Sequence, residues 1–212
     1  ALNFPTYEAF RVTFQHLFEG DDAVSNTFST NTMDTLIGLG EARVFHGDDQ
    51  TPGLRASSML TNLSASVTSN AATLPADLLE LKEVRFSGER PLEILPLDRL
   101  REAEAIGGGG DARFCAQDGD TLRFYPAASG TVLGRYYARP TALQSITWGS
   151  ATTFHRYPEL FLYSALYEGA VFLGMVEKQG IWEAKYRQLA EGAERAERLR
   201  VWSGGPLRVR TR

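Results

Sequence analysis

The sequence has little of what covalent cross-links and metal sites require. Among its 212 residues are one cysteine, Cys115, and three histidines, His16, His46 and His155. One cysteine cannot form a disulfide within the chain, and none of these residues has a second ligand at the spacing of a zinc site. We therefore expect a fold held by packing alone, as suits a reducing cytoplasm, with no metal and no cofactor.

Long apolar runs and a basic excess are also missing. The first twenty residues mix Glu8, Arg11 and Glu19 with aromatic residues, so we expect neither a signal peptide nor a membrane span. The formal net charge is -4, from 22 basic and 26 acidic residues. A dedicated nucleic-acid binder usually carries a basic excess, so we expect any contact with DNA to be local or weak.

The motifs of common catalytic sites are absent too. The glycine run over 107–110 lacks the lysine and hydroxyl residue of a phosphate-binding loop, and there is no nucleophile elbow. Cys115 lies in a predicted strand without a neighbouring histidine, which favours an inert buried thiol. The acidic pairs Asp21-Asp22 and Asp48-Asp49 sit beside glycines, as turn residues do, and lack the spacing of a calcium loop. The sequence therefore indicates a protein that is not an enzyme.

Helical periodicity is present at both ends of the chain. Phe10, Phe14 and Leu17 predict a helix over 6–18, and a second helix is expected with Asn31 or Thr32 as its cap. Near the other end, Pro158 opens a helix that is apolar around most of its circumference. A final helix is expected after Gly180, with Trp182, Tyr186, Leu189, Ala193 and Ala196 along one seam.

The middle of the chain has the period of strands. Leu60, Leu63, Ala65 and Val67 suggest a first strand, and further strands are expected over 80–87, 92–95, 113–116, 121–125 and 132–138, with a short helix over 97–105. The apolar phase shifts between Leu81 and Val84, which strict alternation forbids. We therefore expect a bulge near Lys82.

These patterns predict an α+β protein in which N- and C-terminal helices form one bundle, because neither set buries its apolar face alone. We expect an N-terminal helical part over 1–60, an inserted antiparallel strand domain over 61–153, C-terminal helices over 154–201 and an extended arm over 202–212. In the arm, Leu207 and Val209 alternate with Arg208, Arg210 and Arg212.

Several segments, in this order and spacing, carry a resemblance that runs from about Leu36 to the C-terminus. They are Leu74 to Glu80, Arg123 to Pro126, Tyr136 to Pro140 with Leu143, His155 to Tyr167, Phe172 to Gly174, Trp182 to Tyr186 and Trp202 to Arg210. In these segments the chain resembles the adaptor proteins of the bacteriophage head-to-tail connector, including the tail tubular protein A group and the adaptors of gene-transfer agents.

The resemblance implies a structural protein of the virion neck, assembled in the host cytoplasm. It implies one subunit of a dodecameric ring beneath the portal, which joins the capsid to the tail or next neck protein and continues the DNA channel. The strand domain would project outward or toward the tail, and the C-terminal arm would reach into the portal. Double-stranded DNA would pass without specific binding, and no membrane is involved.

In that light three sets of residues are expected to matter. The helix from Pro158 is apolar enough to serve both the core and a neighbouring subunit, although it also fits the central helix of a monomer. The subunit-interface candidates are Phe161, Leu166, Phe172, Trp182 and Tyr186; the portal-binding candidates in the arm are Trp202, Leu207, Arg208, Val209, Arg210 and Arg212; and the channel-lining candidates are Asp21, Asp22, Asp48 and Asp49. A solvated terminus remains the alternative for the arm.

Two other functions fit the sequence less well. One is a tail-terminator or stopper protein of the neck, which binding to portal or to tail tube would separate from an adaptor. The other is a carbohydrate-binding strand domain with a helical oligomerisation unit, for which Tyr125, Tyr136 and Tyr137 would be the platform. Aromatic residues in strands more often belong to the core or the sheet surface.

Overall fold

The computed structural model describes residues 4–19, 28–86, 89–146 and 153–202. The chain divides into two compact units, a helical unit of Ala1–Ser58 with Pro140–Arg212 and a strand unit of Met59–Arg139. Among the described residues, helix accounts for about 50% and strand for about 25%, with helices at both ends and sheets between them, so the fold is α+β. The sequence predicts the end of the strand domain at residue 153, whereas the chain contacts assign residues from Pro140 onward to the helical unit.

In its described residues the helical unit contains five helices. They are α1 (Tyr7–Glu19), α2 (Thr30–His46), α4 (Thr153–Arg156), α5 (Pro158–Leu173) and α6 (Val176–Trp202), and a short 3-10 turn covers Leu143–Ser145. The cap of α2 is Ser29, whose hydroxyl accepts a hydrogen bond from Thr32 N at 3.2 Å, so the predicted caps Asn31 and Thr32 lie inside the helix.

The junction of α5 and α6 also differs from the sequence prediction. Gly174 adopts the left-handed conformation, with φ 65°, and ends α5. The next helix begins at Val176, so Gly180 lies inside α6 and does not precede it. An exposed glycine in a helix costs only about 1 kcal/mol relative to alanine, which the rest of this long helix offsets.

Helix α5 occupies the centre of its unit. Nine of its residues are buried, and it packs on α2, α6 and α1. A β-carbon at Gly40 would lie 2.6 Å from Ala165 N, so the absent side chain is what lets α2 and α5 approach. Ser164 Oγ donates to Gly40 O at 2.9 Å at the same contact. Phenylalanines of α1 and α4 complete this core, with Phe10 and Phe154 5.4 Å apart between ring centroids.

The strand unit contains two small sheets and one helix within the ranges that the structure describes. The strands are β1 (Leu60–Val67), β2 (Ala71–Thr73), β3 (Leu78–Phe86), β4 (Glu93–Ile94), β5 (Phe114–Asp118), β6 (Thr121–Tyr125) and β7 (Gly130–Ala138), and α3 covers Leu97–Ile106. Their order is β1-β7-β3 in one sheet and β2-β6-β5-β4 in the other. The pairs of these strands are antiparallel except that of the two-residue β4, which lies parallel to β5 and departs from the predicted antiparallel domain.

The bulge predicted near Lys82 is present. The register of β3 against β7 shifts between Leu81 and Glu83, and again between Leu78 and Glu80. The shifts let the strand keep Val84 and Phe86 inside the unit. That core is apolar throughout, and its buried members are Val67, Ala72, Leu74, Val84, Phe86, Leu92, Ala112, Cys115, Leu122, Phe124 and Val132.

Candidate assembly surfaces

Exposed apolar side chains of the helical unit are concentrated in the sequence where α5 turns into α6. Five large side chains within eleven residues are exposed there, and we call them the apolar turn: Val171, Phe172, Leu173, Val176 and Ile181. Val176 is 77% and Ile181 67% exposed. Where exposed apolar side chains form one patch, that patch usually marks a surface that another molecule covers.

Of the five predicted interface residues, only Phe172 belongs to this surface. Phe161, Leu166 and Tyr186 are fully buried inside the helical unit, and Trp182 is nearly so. The ring of Phe161 lies between those of Phe45 and Phe154, at 5.6 Å and 5.5 Å. These four side chains are core residues, because their surface is already covered by their own chain. Sequence periodicity identifies apolar helices but cannot tell which of their apolar side chains stay exposed after folding.

A partly buried cation, Arg43, joins three parts of the helical unit. Arg43 donates to Asp48 Oδ2 at 2.6 Å and to Glu168 Oε1 at 3.1 Å, and its guanidinium lies 3.9 Å from the centroid of the Tyr167 ring. Burial disfavours its charge, but the bonds to Asp48, Tyr167 and Glu168 outweigh burial and raise the pKa of Arg43. The arginine therefore fixes the end of α2 on α5.

Asp48 serves this network and the turn that follows α2. Its Oδ1 accepts from Gln50 N at 2.9 Å and from Thr51 N at 2.7 Å, while Oδ2 accepts from Arg43. Burial opposes ionisation, but these bonds outweigh it and lower the pKa of Asp48. Asp48, a predicted channel-lining residue, therefore stabilises the end of α2 and the turn that follows it. Asp49 is exposed, and Asp21 and Asp22 lie outside the described residues.

A second buried ion lies near the C-terminal end of α6. Glu197 is 5% exposed and accepts from Ser57 N at 2.8 Å, Tyr157 Oη at 2.6 Å and Arg156 Nη1 at 3.2 Å. Burial acts against its charge, but the hydrogen bonds from Tyr157 and Ser57 prevail and lower the pKa of Glu197. Burial and the bond to Glu197 raise the pKa of Tyr157 to about 12. A charge at position 197 in an amphipathic helix looks like a solvent-facing residue, so no sequence signal points to this role.

The predicted arm begins where the described part of the chain ends. Trp202 is the last residue of α6, and its side chain is not described. The other arm candidates, Leu207, Arg208, Val209, Arg210 and Arg212, lie outside the described residues. Their expected contacts with a portal therefore stay predictions.

The chemistry of the described residues is sparse. No group of three or more histidine, cysteine, aspartate or glutamate side chains in that part of the chain is arranged to hold a metal ion. Burial raises the pKa of the Cys115 thiol to about 12, so little of it is nucleophilic thiolate near neutral pH.

Tyr136 and Tyr137 are buried, so these two rings cannot serve as a platform for a carbohydrate. None of the helices searched in the described ranges has the length and hydrophobicity to cross a bilayer.

Comparison with known proteins supplies the identity that this chemistry alone leaves open. The described part of the chain combines helices at both ends with an inserted strand unit and an exposed apolar turn. The sequence matches the SU10 adaptor protein family over residues 6–210. The chain therefore belongs to this family, consistent with the resemblance to phage head-to-tail adaptors. Among curated proteins, no match is found.

Proposed function

We propose that this phage adaptor protein is one subunit of a ring beneath the portal, which joins the capsid to the tail and continues the DNA channel. The observation that carries the proposal is the family match, which spans both helical segments and the strand unit. In this role the protein is structural and performs no catalysis. Its partners are further copies of itself, the portal, and a tail or neck protein.

A ring demands that each subunit offer two different contact faces, because its contacts are heterologous. The apolar turn is the candidate for one face, since Phe172, Val176 and Ile181 are exposed and lie close together in the sequence around the junction of α5 and α6. A stable interface buries about 800 Å² on each partner, so this turn would be the apolar centre of a larger contact. Hydrophobic centres with polar rims are the usual arrangement of such contacts.

This interface is tested by placing a charge in the apolar turn. Ile181→Glu is expected to lower the fraction of assembled rings at a given concentration, because a carboxylate would be buried without a partner. Leu199→Glu is the matched control, since Leu199 is 65% exposed on the same helix but lies 18 positions further along it. Native mass spectrometry measures the assembly state, and equal assembly of the two variants would reject the turn as an interface.

The arm is the part proposed to bind the portal. Leu207 and Val209 would fill apolar pockets while Arg208, Arg210 and Arg212 pair with acidic groups, and alternation of this kind suits addition as a strand. Deletion of 203–212 is expected to abolish retention on immobilised portal, with ring assembly unchanged. A deletion variant retained as well as the intact chain would contradict this assignment, and binding to tail tube instead of portal would indicate a terminator.

The charge of the chain supports passage of DNA through such a ring. A net charge of -4 gives no general attraction for phosphates, and a channel that bound phosphates tightly would obstruct ejection. Asp49, together with Asp21, Asp22 and Asp48, is the proposed set of channel residues. Replacing Asp49 by lysine is expected to slow DNA ejection at low salt more than at high salt, because added phosphate contacts are screened by salt.

A further inference from the structure

The end of α6 and the residues after it differ in charge from the rest of the chain. The segment 195–212 contains one acidic residue, Glu197, and six arginines, which are Arg195, Arg198, Arg200, Arg208, Arg210 and Arg212. The rest of the chain has 16 basic and 25 acidic residues, so it carries a formal charge of -9 against +5 for the segment. A basic run of this kind in an acidic chain indicates a surface for a partner of opposite charge.

Glu197 fixes the orientation of the last turns of α6. Among the described side chains of this helix it is the last buried one. Its carboxylate accepts hydrogen bonds from Ser57 N, Tyr157 Oη and Arg156 Nη1 within the helical unit. Hydrogen bonds to a charged acceptor are strong and depend on geometry, so they hold the helix in one rotation about its axis. The one acidic side chain of the segment is therefore turned inward.

The residues opposite Glu197 on the helix are exposed. Successive residues of an α-helix are rotated by about 100°, so Arg195 and Leu199, two positions before and after Glu197, lie on the far side from it. Arg195 is exposed, and Leu199 is 65% exposed. The side chain of Arg198 pairs with Glu194 and is still 70% exposed. The end of α6 therefore presents an apolar side chain flanked by arginines.

The same combination recurs in the arm, where Leu207 and Val209 alternate with arginines. Arginines alone suffice to contact the phosphates of a nucleic acid, and an exposed leucine between them adds nothing to such contacts. An acidic protein surface with an apolar pocket uses both kinds of side chain. The pattern of this segment therefore favours a protein partner over DNA.

We propose that Arg195, Arg198 and Leu199 form the first part of the portal-binding surface, which docks against an acidic patch with an apolar pocket. Glu197 holds this surface in position before the portal is met, so that binding loses less conformational entropy. The inference rests on the proposed function of the arm, which follows α6 directly. It assigns part of the binding to helix residues that deletion of 203–212 leaves in place, although three side chains are too few to retain the portal alone.

The surface is tested by measuring the affinity of the full chain for immobilised portal with biolayer interferometry. Leu199→Ser is expected to weaken binding by about tenfold, as loss of a leucine that becomes buried predicts. Leu39→Ser replaces a leucine that is 50% exposed on α2, and as the matched control it should bind as tightly as the unmodified chain. Equal affinity of the two variants would overturn the inference.

The positioning role of Glu197 needs its own variant. Glu197→Gln is expected to speed hydrogen exchange of the backbone amides of 198–202 and to weaken portal binding, with ring assembly in native mass spectrometry unchanged. Glu191→Gln, at an exposed position of the same helix, is expected to do neither. Faster exchange with unchanged portal affinity would show that Glu197 stabilises the helix end without positioning the surface.

The outcomes separate this inference from the proposed function. If deletion of 203–212 abolishes portal binding while Leu199→Ser has no effect, the role of the arm stands and the helix surface is rejected. If the deletion has no effect while Leu199→Ser weakens binding, the helix surface stands and the role of the arm is rejected. Binding of a short duplex DNA as tight as that of portal would assign the surface to DNA, and loss of ring assembly in Leu199→Ser would assign it to a neighbouring subunit. Either result would overturn the inference.

Discussion

The cores of the helical and strand units differ in whether they contain charged side chains. The strand unit buries an apolar cluster and leaves its ion pairs at the surface, such as Arg99 with Glu102. The helical unit buries Glu41 and Glu197 and partly buries Arg43 within its own contacts, and among the described residues it carries nine of the eleven exposed large hydrophobic side chains. The strand unit is thus close to self-sufficient. The helical unit leaves more apolar surface exposed, as the proposed contact with a neighbouring subunit requires.

The largest effect is expected in the strand core. Phe124 is fully buried, and its ring centroid lies 5.3 Å from that of Phe86. Phe124→Ala should lower the free energy of unfolding of the strand unit by about 3–5 kcal/mol, because it removes a buried ring and leaves a cavity. Urea denaturation followed by labelling of Cys115 measures it, since that thiol becomes reactive only when the strand core opens. If α-helical circular dichroism were lost at the same lowered midpoint, the two units would not be thermodynamically separate.

A somewhat smaller loss is expected from the partly buried Arg43 of the helical unit. Arg43→Met keeps much of the side-chain volume but leaves Asp48 and Glu168 without their cation, so we expect a loss of about 2–3 kcal/mol. Arg99→Met, which removes an exposed pair in the strand unit, should cost under about 1 kcal/mol. Circular dichroism in urea compares the two variants. Equal losses would show that burial of the ion network contributes nothing beyond a surface pair.

A smaller difference between the stabilities of the two units is expected in acid. Glu197 and Asp48 have folded pKa values below their ordinary values of 4.5 and 3.8. Their contribution is therefore fully present above about pH 4.5 and is lost as pH falls through the folded values. We expect the helical unit to lose stability first below about pH 4.5, and Glu197→Gln to flatten that dependence. Thermal melts between about pH 3 and pH 7 measure it. A strand unit that loses stability at higher pH than the helical unit would contradict the assignment.

The smallest effect concerns the glycine run beside α3. A β-carbon added at Gly109 would meet open space, whereas Gly110 has φ +105°, which side chains rarely adopt. Gly109→Ala should stabilise the strand unit by about 0.4–1 kcal/mol, because alanine lowers the conformational entropy of the unfolded chain. Gly110→Ala should destabilise it, because alanine rarely adopts the backbone conformation of Gly110. Differential scanning calorimetry gives the sign of each change. Two changes of the same sign would show that the backbone there is not held as described.

Sequence patterns predict the fold class, the bulge near Lys82 and most of the strands, because period and phase are local properties of the chain. They misplace the cap of α2, because several neighbouring hydroxyl residues can each cap a helix. They also misplace the start of α6, because a glycine such as Gly180 can lie inside a helix as well as before one. The interface set is least predictable. Phe161 and Phe172 lie on the same helix, and only long-range packing decides that the first is buried and the second exposed. Glu197 escapes sequence reasoning because its partners are far away along the chain, and so does the bond of Arg43 to Glu168.

The central claim is that the helical unit is completed by copies of itself in the neck of a phage particle. A cryo-electron reconstruction of the neck tests it most directly. The account predicts a ring of this chain below the portal, with Phe172, Val176 and Ile181 buried against the adjacent subunit. A neck without this chain, or a ring in which the apolar turn faces solvent, would contradict it.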